Sequence, residues 1–149
     1  KTTFIVLSLI IGASFSTFYF NYFVAPVNFE LVKVATILTA VSYGFWQGLA
    51  VGIASTFFSK VMIGRVDEKL PLSMLTISII AVAAAIFSTA NITTLGITLV
   101  LAYNVTMFAL TQLMGGDLAW NLPYEGTNLA FNLFLFMKVA PFLLQVISS

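Results

Sequence analysis

Residues 41–58 read VSYGFWQGLAVGIASTFF. Gly44, Gly48 and Gly52 recur every four residues inside an apolar run, and Ala40 and Thr56 extend the row of small residues on either side. Each glycine weakens a helix interior by roughly 1 kcal/mol relative to alanine, so three in one segment need a reason. Lipid supplies one. Helices in a bilayer gain nothing by hiding apolar surface from equally apolar tails; they associate through close van der Waals contact, which small residues four apart permit. The stretch reads as the packing face of a membrane helix, and it sets the class of the chain as all-α and membrane-embedded. The row either packs a neighbouring helix of the same chain or docks a partner protein.

Composition agrees. Of 149 residues, 60% are hydrophobic and 7% charged, with a mean hydropathy of +1.08. A soluble domain carries about 25% charged residues, so this chain cannot cover a water-facing surface, and its surroundings are membrane lipids. The net charge of +1 says nothing about nucleic acid, and as no basic patch exists no nucleic-acid partner is expected. No cysteine is present, which removes disulfides, thiolate nucleophiles and cysteine-ligated metals. No histidine is present either, which removes the commonest general base and metal ligand and the usual axial ligand of haem. Asp67 and Glu68 are adjacent and share no face, and the glycines form no phosphate-cradling loop. We expect no catalytic site, metal or cofactor.

Backbone groups in lipid must be satisfied within the spanning structure. Strict period-two alternation is missing, so the spans are helices rather than barrel strands. Helix one is expected over about 3–24. Its opening KTTFIVLSLIIGASFS has features of a signal peptide, but the apolar run continues to about Phe23, enough for the ~20 residues a ~30 Å core requires, so it reads as a retained helix. It stops at APVN, where Pro26 and Asn28 suit a turn and an N-cap. Helix two follows over 29–42, helix three over 44–63, and helix four over 71–90, opening with Pro71. Helix five is expected over 93–115 and helix six over 123–147, starting near Pro123 and kinked at Pro141. The expectation is one transmembrane domain over 1–149, a compact bundle of six spans in a cell membrane. Only SYG separates helices two and three, so five spans is the alternative.

Charge is distributed unevenly in a way that does not depend on helix ends. Loops one, three and five with their flanking turns hold Glu30, Lys33, Lys60, Arg65, Asp67, Glu68, Lys69, Asp117 and Glu125, nine of the eleven charged residues. Loops two and four hold none. With six spans the odd loops share one side of the membrane, so the molecule is expected to be a cup with one charged mouth.

Polar residues on the spans point to that mouth. Glu125, Asn128 and Asn132 share one face of helix six, and Asn121 extends it. Asn132 would lie about 13 Å into the helix. Amides and a carboxylate there must face a partner group or a wet pocket; interhelical bonding and ligand binding are both open. Trp120 and Tyr124 fit either an interfacial aromatic belt or a stacking wall. Glu30 and Lys33 are three apart and can pair. Asn104 and Thr111 share a face of helix five, with Gln112 beside them. The Arg65, Asp67, Glu68, Lys69 loop reads as solvated, and Lys138 as snorkelling. Helix one carries a second stripe of small residues: Ser8, Gly12 and Ser16.

APVNFELVKVATILTAVSYGFWQGLAVGIASTFFSKVMIG resembles the helix two to helix three region of the substrate-binding S components of energy-coupling factor transporters. The likeness lies in a proline-bearing loop, a short helix, a glycine-punctuated turn and a small-residue helix. IGASFST of helix one is similar as well, with Gly12 and Ser16 at the spacing by which the family docks on a scaffold subunit, although the family favours alanines. The resemblance implies a small-molecule capture subunit, often for vitamins, working with a transmembrane scaffold and an ATPase-bearing module in trans. It implies a site at the outer mouth around Asn28, Tyr124, Glu125, Asn128 and Asn132, to which Trp120 and Asn104 are added from the residue reading. Partner docking would use Ser8, Gly12 and Ser16, or Gly44, Gly48 and Gly52. The family topology puts loop three outside, whereas the positive-inside rule puts Lys60, Arg65 and Lys69 inside. The rival expectation is a non-catalytic scaffold subunit of a larger membrane complex.

Overall fold

Gly44 decides how the opening stretch is used. Its φ of +94° is a conformation that only glycine adopts at little cost. The chain reverses there. α2 (Val32–Tyr43) and α3 (Phe45–Met62) pack together more extensively than any other pair of helices. A Cβ on Gly48 would sit 2.8 Å from Ala40 Cα, and one on Gly52 would meet Thr36 at 3.0 Å and Ile77 at 3.1 Å. Ala40 and Gly48 are equidistant from Gly44, as are Thr36 and Gly52. The small residues are thus the rungs of an antiparallel hairpin, and Gly48 and Gly52, both buried, are out of reach of a partner. Gly44 lies in the turn and belongs to no stripe. The bent-helix alternative for helices two and three does not hold.

The structure is a computed structural model that describes residues 1–148. Among them are seven α-helices and no strand. Besides the hairpin these are α1 (Thr2–Phe15), α4 (Lys69–Ile86), α5 (Ile92–Leu113), α6 (Leu118–Lys138) and α7 (Ala140–Ser148), with a 3-10 turn at Phe18–Asn21. α2 is the hub. It touches all six other helices, and every residue from Val32 to Ala40 is buried. At 12 residues it spans about 18 Å, short of a ~30 Å hydrocarbon core, but it is wrapped by protein.

Three helical segments are long and apolar enough to cross a membrane: Thr2–Asn21, Lys69–Ile86 and Ile92–Leu113. α6 and α7, bent by 55° across Val139, form a fourth if the pair is one span. Large apolar side chains such as Phe4, Leu7, Ile11, Leu75, Ile79, Val105 and Phe134 face outward, while Thr36, Thr39, Ser55, Asn104, Asn128 and Asn132 are buried. Apolar outside and polar inside is the arrangement a bilayer demands.

Several boundaries differ from expectation for local reasons. α1 ends at Phe15, where Ser16 Oγ donates to Ala13 O (2.6 Å) and accepts from Leu31 N–H (3.0 Å). The following chain is pinned by Tyr19, whose hydroxyl accepts from Phe29 N–H (2.8 Å) and donates to Val27 O (3.0 Å). α2 starts at Val32, so Asn28 is no N-cap. α6 starts five residues before Pro123, capped by Asp117, whose Oδ1 accepts from Ala119 N–H (3.0 Å). The bend falls at Val139, ahead of Pro141, whose ring cannot be reconciled with a continuing helix.

The hairpin also orients the molecule. Its turn end lies with α7, since Tyr43 Oη donates to Ile147 O (2.9 Å). Its open end, with Val32 and Thr56, faces the charged loops.

Candidate functional site

A cavity of about 370 Å³ occupies the charged end, and Val32 and Thr56 lie in its lining. The loop before α2 contributes Asn28 and Glu30. The end of α3 gives Ser59 and Lys60, the connection to α4 gives Arg65 and Asp67, and the first residue of α4 gives Lys69. α5 presents Tyr103, Met107 and Thr111 at four-residue spacing, and the start of α6 closes the wall with Asp117, Trp120, Asn121, Tyr124 and Glu125.

Seven charged residues therefore line one cavity, although few of them meet. Among the described residues the one ion pair is Lys33 with Glu30. Lys33, 1% exposed, lies just behind the wall, its Nζ 4.4 Å from the centroid of the Tyr103 ring. Burial alone would push the Glu30 carboxyl up. The charge and hydrogen bond of Lys33 oppose it, helped by the charge of Lys60 and a hydrogen bond from Asn28, and hold it below its ordinary value. Arg65 rests its guanidinium over Phe20, 4.5 Å from the ring centroid. Phe20 in turn stacks on Tyr19 and Tyr124 at 4.5 and 6.1 Å, so an aromatic column positions the arginine at the rim.

The structure brings four of the expected ligand-site residues to the cavity wall: Asn28, Trp120, Tyr124 and Glu125. Three do not reach it. Asn104 Nδ2 donates to Val100 O (2.9 Å) within α5. Asn128 Nδ2 donates to Asn28 O (3.4 Å), and Asn132 Nδ2 to Asn128 O (3.0 Å) and Glu30 O (3.5 Å). These amides hold the loop before α2 against α6, aided by Asn28 N–H donating to Thr127 Oγ1 (3.0 Å). They shape the cavity from behind. Conversely, the loop expected to be merely solvated supplies Arg65, Asp67 and Lys69 to the wall. Tyr103 and Met107 were missed, although their four-residue spacing with Thr111 marks one helix face.

The helix-one stripe is split. Ser8 and Gly12 are exposed, with no atom within 4 Å of a Cβ placed on Gly12, whereas Ser16 turns inward to its bonds with Ala13 and Leu31. Among the described residues no group of three or more His, Cys, Asp or Glu could hold a metal.

In comparison with known proteins, no family model, no curated protein and no solved structure matches this chain.

Proposed function

We propose that the chain is the solute-capturing subunit of a multi-component uptake transporter. It would be a six-span protein of the cell membrane, like the S components of energy-coupling factor transporters, binding a small vitamin-like molecule in the cavity. The single observation that carries the reading is the cavity. Its volume lies in the 300–1,000 Å³ range of small-molecule sites, and its wall is mostly polar and charged, with three aromatic side chains, Tyr103, Trp120 and Tyr124, set among those groups. The Gly44 turn and the Tyr43–Ile147 hydrogen bond lie at the opposite end, which supports a cup rather than a channel. A cup does not release its guest inward unaided, and the chain has no nucleotide-binding loop, which is why a scaffold and an ATPase-bearing module are assigned in trans. The Ser8–Gly12 face of α1 is the free surface for that scaffold.

The test is retention. Protein purified in mild detergent is denatured and the released small molecules are identified by mass spectrometry. Wild type should release a solute that an unrelated membrane protein does not. Trp120→Ala and Tyr124→Ala should each retain about tenfold less, the effect of losing one aromatic contact, with thermal unfolding unchanged in Trp120→Ala and lowered in Tyr124→Ala, which also loses its stacking on Phe20. A wild type that releases nothing, or variants that release as much as it does, would overturn the reading.

One observation favours a second reading, a purely architectural subunit: Asn104, Asn128 and Asn132 spend their donors on the chain's own backbone. In that case Gly12→Leu breaks a native complex although no solute binds.

A further inference from the structure

The cavity charges are segregated by chain segment. All three cations, Lys60, Arg65 and Lys69, come from residues 60–69. The acids Glu30, Asp117 and Glu125 come from the loop before α2 and from α6 and its cap, with Asp67 the one acid on the cationic side. Some are already engaged. Glu30 has Lys33, Asp67 Oδ1 accepts from Lys69 N–H at 3.1 Å, and Asp117 Oδ1 accepts from Ala119 N–H. Among the described residues the side chains of Lys60, Lys69 and Glu125 have no hydrogen bond or ion pair, and Arg65 has only the face of Phe20. Opposite charges held apart across a cavity leave both poles to a guest. The acids of the loop before α2 and of α6 suit an ammonium group, and the cations of residues 60–69 suit a carboxylate.

Resting on the capture reading, we infer that the guest is an aromatic zwitterion of amino-acid type. Its carboxylate meets the guanidinium fork of Arg65, which matches a carboxylate in two-point geometry, with Lys60 beside it. Its protonated amine meets Glu125. Its ring lies against Trp120 and Tyr124.

Three probes that share a phenyl ring test the assignment on the full chain in lipid nanodiscs: phenylalanine, the cation phenethylamine and the anion 3-phenylpropanoate. By calorimetry and by shift of the unfolding midpoint, phenylalanine should bind at least about tenfold more tightly than either singly charged probe, the effect of one charge-assisted hydrogen bond. Glu125→Gln should erase its advantage over 3-phenylpropanoate, and Arg65→Gln its advantage over phenethylamine. A singly charged probe that binds wild type as tightly as phenylalanine overturns the inference, whatever the variants do. So does failure of all three probes to bind. If that failure accompanies a solute released in the retention experiment, the zwitterion is wrong and capture stands; if nothing is released either, both fall.

Discussion

Lys33 is the residue the bundle can least accommodate alone. It lies in the hub helix at 1% exposure, with Glu30 as its ion-pair partner and the Tyr103 ring beneath it. Removing one member of a buried pair strands the other charge, at a typical cost of about 3–5 kcal/mol, whereas replacing both by apolar groups is often close to neutral. Glu30→Gln should therefore lower the unfolding free energy by several kcal/mol, and Glu30→Gln combined with Lys33→Met should restore most of it. Denaturant unfolding in nanodiscs checks both, and a Glu30→Gln protein as stable as wild type would show that the pair contributes nothing. Acid should act like the single variant. The Glu30 carboxyl is held below its ordinary value, so below that value the unfolded chain takes up a proton that the folded chain resists. The stabilisation is complete above the ordinary glutamate value of about 4.3 and is lost as pH falls through the lower folded value. The double variant should lack that part of the acid transition.

Among the elements, the α2–α3 hairpin shows what the sequence could and could not disclose. Small residues every four positions signal close backbone contact whether they lie on one straight helix or on two helices folded about Gly44. Rungs placed four and eight residues either side of a turn give the same spacing, and only the φ of +94° at Gly44 separates the cases. The contact was legible; the partner of the contact was not. Helix six repeats the lesson. Asn128 and Asn132 share a face as their spacing demands, but spacing does not say what lies opposite, and the loop before α2 lies there. Its start was misplaced because Pro123 suggested a first turn, while GGD at residues 115–117 held the real signal, a glycine-rich break and an aspartate cap. The hairpin geometry makes a paired prediction. Gly48→Leu must push Ala40 backbone atoms that a Cβ would meet at 2.8 Å, so it should destabilise by roughly 1–3 kcal/mol, as overpacking does. Gly12→Leu meets no atom within 4 Å and should leave unfolding unchanged while breaking a complex with a scaffold. Equal loss of stability in both variants would contradict the assignment of inward and outward faces.

For the whole molecule the legible feature was the gathering of nine of eleven charges at one end, because charged side chains have few places to go in a lipid-embedded bundle. The sidedness of that end was not legible, since the positive-inside rule and the family resemblance point in opposite directions. The chain itself makes the question easy to ask, because it contains no cysteine and single reporters can be placed without background. Tyr22→Cys, Glu68→Cys and Met114→Cys mark the three charged connections, and all three native side chains are exposed. Thr89→Cys marks the turn between α4 and α5, at the other end of α4 from the charged connection. In intact cells a membrane-impermeant maleimide should label the first three from one side only, and Thr89→Cys only after permeabilisation. Labelling of Glu68→Cys and Thr89→Cys from the same side would mean that α4 does not cross, and six spans could not stand. If the first three label only after permeabilisation and Thr89→Cys labels in intact cells, the bundle survives but uptake does not. A capture subunit must open its cavity to the compartment that supplies the solute, and Lys60, Arg65 and Lys69 would then be on the cytoplasmic side, where the positive-inside rule puts them. Outside labelling would instead mean that the cations of the 60–69 segment were kept on the unfavoured side of the membrane, which a binding role for Arg65 and Lys60 explains and a solvated loop does not.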